Sequence, residues 1–367
     1  MILKRYTKLI LFTLCSLPLF SQDLHFSQFE KTPLLFNPGN TGNFKGTIRL
    51  GAIYRDQWRN FGNFHSTPSF FVDAPVIKGF GKNDWVGAGG VIFQDRAGSG
   101  QFGNGAFLLS GAYHMATGEQ AKNVWSLGVQ YGTGSLRMRR PFNLTFEDAL
   151  IAGPGLPSID ESKIPMDPQR YTDFNVGFVY THKLSEFDER FQVGLSVSHI
   201  SIRRDPTAGI GPIDPDDPDP DPNEGPGLQV GGGGGRFGLL PSTFYVRPFR
   251  YNLMAALDMK YNEKIILRPA MMAQLFGNHL QIIVNAIGGI VINEEDDIAL
   301  VGGLGYRVND SAIAHFGIDY KTFRAGLAWD INVSSLGAAS AFELGLTYIV
   351  RIQKRPDVHP VIFCPRF

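Results

Sequence analysis

Apolar and polar residues alternate with a period of two along most of this chain. Ile48, Leu50, Ala52 and Tyr54 fall on one face of an extended segment, and Arg49, Gly51, Ile53 and Arg55 on the other. Further on, Val193, Leu195 and Val197 oppose Gln192, Gly194, Ser196 and Ser198. Near the end, Phe342, Leu344, Leu346, Tyr348 and Val350 oppose Glu343, Gly345, Thr347 and Arg351. A period of two is that of a β-strand with only one greasy face. Such runs recur, with Gly, Asn or charged residues between them, near 46–58, 66–75, 84–94, 102–115, 123–136, 171–184, 190–203, 250–260, 263–275, 278–290, 296–308, 311–322, 323–332 and 341–352.

Strands this long, with one apolar face and one small or polar face, suit a membrane. A lipid-exposed sheet has to close, because an open edge leaves peptide groups unpaired in hydrocarbon. Soluble sandwiches use shorter strands, and no propeller-blade repeat is visible. The fold class is therefore all-β: a closed antiparallel transmembrane β-barrel of about 14 strands with long extracellular loops. Two stretches, 137–170 and 203–249, break the rhythm. Two strands lie between them, so both loops leave the same face. With five strands before the first loop and a periplasmic start, that face is extracellular, where such barrels carry their long loops. The second loop holds the run IDPDDPDPDP and then Gly231–Gly235. Alternating prolines favour an extended, solvated segment, and the spacing of an EF-hand calcium loop is absent.

The ends differ from the barrel. Lys4, Arg5 and Lys8 precede the apolar run Leu9–Phe20, so residues 1–21 read as a signal peptide removed before Gln22. Cys15 follows Leu14 rather than a small residue, which argues against a lipid anchor. Residues 22–45 contain two prolines and several Asn and Gly, and are not read as helix. They also carry Phe26, Phe29, Leu34, Leu35, Phe36 and Phe44, too much apolar surface to leave in water. This segment is expected to plug the lumen of the barrel formed by 46–352, with Phe26, Phe29, Phe36, Asn37 and Pro38 as its candidate core. Residues 353–367 form a proline-interrupted tail, expected to dock at the periplasmic mouth or on a periplasmic partner. Cys364 is the only cysteine left once the signal is gone, so an internal disulfide is excluded.

Three short stretches carry a family resemblance: His25-Phe26-Ser27-Gln28-Phe29; Asn37-Pro38 with Gly42; and Tyr54-Arg55-Asp56-Gln57-Trp58. Ser69, Asp73, Pro75, Gly87, Gly89, Asp95 and Gly98 continue it. Together they resemble the opening of the PorP/SprF family, outer-membrane proteins of the type IX secretion and gliding machinery. Gly39 departs from the alanine usual after the Asn-Pro. The resemblance implies an outer-membrane protein of a Gram-negative bacterium that anchors or helps export a cell-surface adhesin. Its implied partners are a secreted surface protein carrying a type IX C-terminal signal domain, periplasmic peptidoglycan-linked secretion components and outer-membrane lipid.

Charge and chemistry add little to this. Formal net charge is zero and no basic stripe is present, so no nucleic-acid partner is expected. No nucleophile elbow, zinc-protease helix or phosphate loop occurs, and the eight histidines are scattered. No catalytic residue, cofactor or metal ligand is assigned. Charges facing lipid near the midplane cost about 2–4 kcal/mol, so Arg49, Arg55, Asp73 and Asp95 are expected in the lumen or at its rim. With Tyr54, Gln57 and Trp58 they form the candidate structural network. Trp58, Trp85, Trp125 and Trp329 are read as interfacial girdle residues. The rival functional reading is a FadL-like channel for small hydrophobic molecules, with residues 22–44 as its hatch. A barrel hydrolase is a weaker third.

Overall fold

The computed structural model describes residues 24–58, 65–79, 83–98, 101–138, 168–184, 189–200, 202–203, 229–230, 247–295, 297–333 and 340–352. The expected signal peptide, most of both long loops and the C-terminal tail with Cys364 lie outside these residues. Fourteen antiparallel strands close into a barrel. They are β1 (Ile48–Gln57), β2 (His65–Lys78), β3 (Asp84–Ala97), β4 (Phe102–Thr117), β5 (Asn123–Met138), β6 (Gln169–Lys183) and β7 (Arg190–Ser198). After two short strands, β8 (Ile202–Arg203) and β9 (Gln229–Val230), come β10 (Arg250–Lys260), β11 (Ile265–Phe276), β12 (His279–Asn293) and β13 (Ile298–Arg307). The last three are β14 (Ser311–Tyr320), β15 (Phe323–Asn332) and β16 (Ser340–Val350). Each barrel strand pairs with its sequence neighbours, β7 with β10, and β1 closes on β16. β8 and β9 pair only with each other.

Local chemistry fixes the strand ends. β7 stops at Ser198, five residues before the sequence pattern ends, because His199 takes a left-handed φ of 66°. The Asp173 carboxylate holds the His199 ring at 2.8 Å. The β2–β3 ladder shifts register between Pro75 and Ile77, at a proline that cannot donate to it.

The alternation sorts the side chains as membrane insertion requires. On β1, Arg49, Ile53 and Arg55 are buried inside, while Tyr54 faces out. Phe316 at the middle of β14 and Leu304 on β13 stand exposed on the outer wall. Among the described residues, no helix is long and apolar enough to cross a membrane; the chain crosses with strands.

β1 begins and β16 ends at one rim, here the terminal rim. The two longest connections, β5 to β6 and β7 to β10, leave from the opposite loop rim. Residues 24–43 run through the lumen as three single turns, Phe29–Lys31, Pro33–Phe36 and Pro38–Asn40. The expectation of a wholly non-helical segment is thus corrected. Pro33 and Pro38 each stand in a first turn, where the missing N–H is of no consequence.

One outcome tests the assignment of the outer wall. Phe316→Arg is expected to destabilise the barrel by about 2–4 kcal/mol, read by urea unfolding from phospholipid vesicles. A neutral result would mean that this face does not meet lipid.

Candidate functional site: the plugged lumen

Placing charges inside a barrel only moves the problem, because the lumen then has to neutralise them. Near the loop rim the answer is a five-residue cluster. Arg55 of β1 pairs with Glu343 of β16, and with Asp330 of β15 at 2.9 Å. Arg307 of β13 reaches the same Asp330 at 2.9 Å. The plug supplies the fifth member. Ser27 Oγ donates to Asp330 at 2.8 Å and accepts from Arg307 at 2.6 Å. The Ser27 and Gln28 backbone N–H groups donate to the two Glu343 oxygens at 2.7 and 2.9 Å. Asn285 Nδ2 donates to the Ser27 carbonyl at 2.9 Å. The carboxylate pair has further donors on the strands and the plug, which is the condition for a buried ion pair to be tolerated.

The middle of the plug is held by its backbone. Gln130, Arg250 and Asn252 donate to the carbonyls of Leu34, Leu35 and Phe36 at 3.2, 3.0 and 3.1 Å. A single helical turn leaves those carbonyls without internal partners, so the wall supplies them. Asn37 Nδ2 donates to two wall carbonyls, Phe178 and Leu195, each at 3.1 Å. This requires bare wall. A Cβ on Gly177 would lie 2.0 Å from Asn37 Oδ1, and one on Gly128 2.3 Å from the Pro38 carbonyl.

Towards the terminal rim, Asp73 accepts from Arg49 Nε and Nη2, at 2.9 and 2.7 Å, and from the Gly42 N–H at 2.7 Å. Arg49 also donates to the Asn40 carbonyl at 3.0 Å. Thr41 offers its carbonyl to the His114 ring at 2.7 Å. Trp85 donates to the Gly42 carbonyl at 3.0 Å and stacks on His114, ring centroids 4.7 Å apart. A further network joins Arg268 to Asp258 and Asp319 at 2.9 and 2.6 Å, with Arg324 on Asp258. Lys31 of the plug stands beside this network, within the field of Glu30, Asp319, Arg324 and Arg268.

At the loop rim a cavity of about 240 Å³ remains above the plug. Leu24 and His25 line it together with Gln57, Trp58, His65, Asp95 and Arg247. Trp58 has a left-handed φ of 60° and packs edge-on against His65.

The candidate residues are therefore divided among several places. Arg49 and Asp73 form one pair, and Arg55 belongs to another, so Arg55 and Asp73 do not meet. Gln57 accepts from Arg55 Nε at 3.3 Å. Asp95 accepts from Thr67 at 2.6 Å and lines the mouth cavity with Trp58. Tyr54 is a correction: its even parity on β1 turns it outward, where it bonds Asp56. Trp58 and Trp85 are corrected too, since they face the mouth cavity and the lumen rather than a lipid girdle. Trp125 and Trp329 do stand on the outer wall. Of the candidate plug residues, Phe26, Phe29, Phe36, Asn37 and Pro38 are all buried. Asp330, Glu343, Arg307, Asn285 and Asn252 complete the site and lie outside any motif; the sequence marks each only as a polar residue on the inward parity of a late strand.

These features define a class: an outer-membrane β-barrel whose own N-terminal segment fills its lumen. The pattern of the family described as type IX secretion system membrane protein PorP/SprF matches residues 19–348, and the chain belongs to that family. Among curated proteins, none matches the chain. Solved barrels resemble it only in outline. The toluene transporter TbuX of Ralstonia pickettii is 10% identical with a TM-score of 0.43, over 88% of this chain and 94% of that one. The translocator domain of autotransporter NalP from Neisseria meningitidis is 10% identical with a TM-score of 0.36, over 87% and 93%.

Removing one partner of a buried ion pair strands the other, at a cost of about 3–5 kcal/mol. Glu343→Ala is expected to destabilise the folded barrel by that amount in urea unfolding. Gly177→Ala is expected to displace Asn37 without touching any charge, and to raise single-channel conductance above that of the parent. A parent-like conductance would show that the wall and not the plug gives way.

Proposed function

We propose that this protein is a non-enzymatic outer-membrane partner of the type IX machinery, anchoring or helping to export a surface protein through that protein's C-terminal domain. Family membership supports the secretion role. The observation that favours anchoring over conduction is the lumen. It is occupied by the chain's own residues 24–43, tied to the wall by backbone hydrogen bonds to the carboxylates of buried wall ion pairs and by hydrogen bonds from Asn37. A barrel filled in this way offers its partners surfaces rather than a path. Periplasmic peptidoglycan-linked components are the proposed partners at the terminal rim, and the exported domain is the proposed partner at the loop rim.

The test is purification from solubilised outer membrane with identification of the proteins retained. A surface protein bearing a type IX C-terminal domain is expected among them, and the purified barrel is expected to conduct little in a planar bilayer. Deleting residues 24–43 is expected to raise that conductance. Facilitated entry of small hydrophobic compounds into vesicles carrying the parent protein, with no copurifying surface protein, would favour a channel instead.

A further inference from the structure

The plug has a direction, and that direction decides where the chain begins. Its later end, Asn40–Asn43, sits at the terminal rim. There Asn43 bonds Thr181 at 3.0 Å, and Arg190 donates to the Asn43 carbonyl at 2.8 Å. Its earlier end lies at the opposite rim. Ser27 is held by Arg55, Asp330 and Arg307, all close to the loop-rim ends of their strands. Leu24 and His25 line the mouth cavity with Gln57, Trp58, Ala97 and Phe102, which lie at the loop-rim ends of β1 to β4. The chain therefore enters the lumen at the loop rim and leaves it at the terminal rim, where β1 starts.

We propose that the mature amino terminus, made by cleavage before Gln22, lies in the loop-rim mouth of the barrel. It is thus on the face opposite to the one where the chain leaves β16. Gln22 and Asp23 are the only residues left between that cut and Leu24. Two residues reach at most ~7 Å, so the α-amino group stays in or beside the mouth cavity. The amino terminus thereby becomes part of the loop-rim face. This rests on the outer-membrane assignment and not on the anchoring role, so a barrel that retains no surface protein leaves it standing.

Three chains, each carrying one epitope, test it on intact cells: after Gln22, within 213–222, or within the turn 261–264 at the terminal rim. The epitope after Gln22 is expected to behave like that in 213–222. Both are labelled on intact cells, while the one in 261–264 is silent until the outer membrane is opened. Should the insertion after Gln22 prevent folding, the same question is put by crosslinking. In a Cys364→Ser background, Asp23→Cys is expected to crosslink through a short bis-maleimide to Ala97→Cys and not to Thr181→Cys. Intact mass is expected to show a chain beginning at Gln22. Labelling that follows the 261–264 epitope, crosslinking to Thr181→Cys, or a retained signal in the folded barrel would each overturn the proposal.

Discussion

The contact on which the rest of this structure depends is the one between Arg55 and Glu343. The two residues stand directly opposite each other across β1 and β16, the strands that turn an open sheet into a barrel. In lipid that seam is obligatory, since neither edge strand has another source of partners. The same Glu343 carboxylate takes the backbone N–H groups of Ser27 and Gln28. Barrel closure and plug capture are therefore one event at one side chain. A barrel shut without its plug would leave Glu343 short of two donors. A plug without the seam would have no acceptor to meet.

The rest of the lumen follows the same logic with different partners. Arg49 and Asp73 are also directly opposite, on β1 and β2, and their shared acceptor again serves a plug N–H, that of Gly42. At each site the wall provides a charge pair and the plug provides the hydrogen bonds that the pair lacks. Where charges are absent, the wall gives room instead. Gly128 and Gly177 leave space for Asn37 and Pro38, and bare carbonyls on β6 and β7 receive the Asn37 amide. An Asn-Pro dipeptide suits this place. The proline stands in a first turn that needs no N–H, and the asparagine offers two donors and one acceptor within a short reach.

The strands were legible because the membrane writes them into the sequence one face at a time. The fourteen runs of alternation coincide with the fourteen barrel strands, and the parity that put Arg49 and Arg55 opposite Ile48 and Leu50 is the parity observed. The partners were not legible. Arg55 meets residues 275 and 288 positions away in sequence, joined only by the closing seam. Periodicity assigns a face and says nothing of register between the first strand and the last. Tyr54 and Trp85 mark the limit differently. Residue type and nearness to a motif or strand end point the wrong way for both, whereas parity alone places Tyr54 outside and Trp85 inside.

This coupling has a consequence for how the chain folds. Residues 24–43 precede every strand in the sequence, yet their partners Asp330 and Glu343 stand on the final two strands. The plug cannot be secured until β15 and β16 exist, and those long-range contacts carry a large loop-closure cost before they return any stabilisation. Until then the aromatic residues of the plug have no lumen to fill. The plug is thus made before any strand and secured after the last of them, and the barrel has to assemble around it. A preformed barrel would have to be threaded end to end past buried ion pairs. In this fold the plug is therefore a component of the core, with the polar wall playing the part that packed side chains play in a soluble domain.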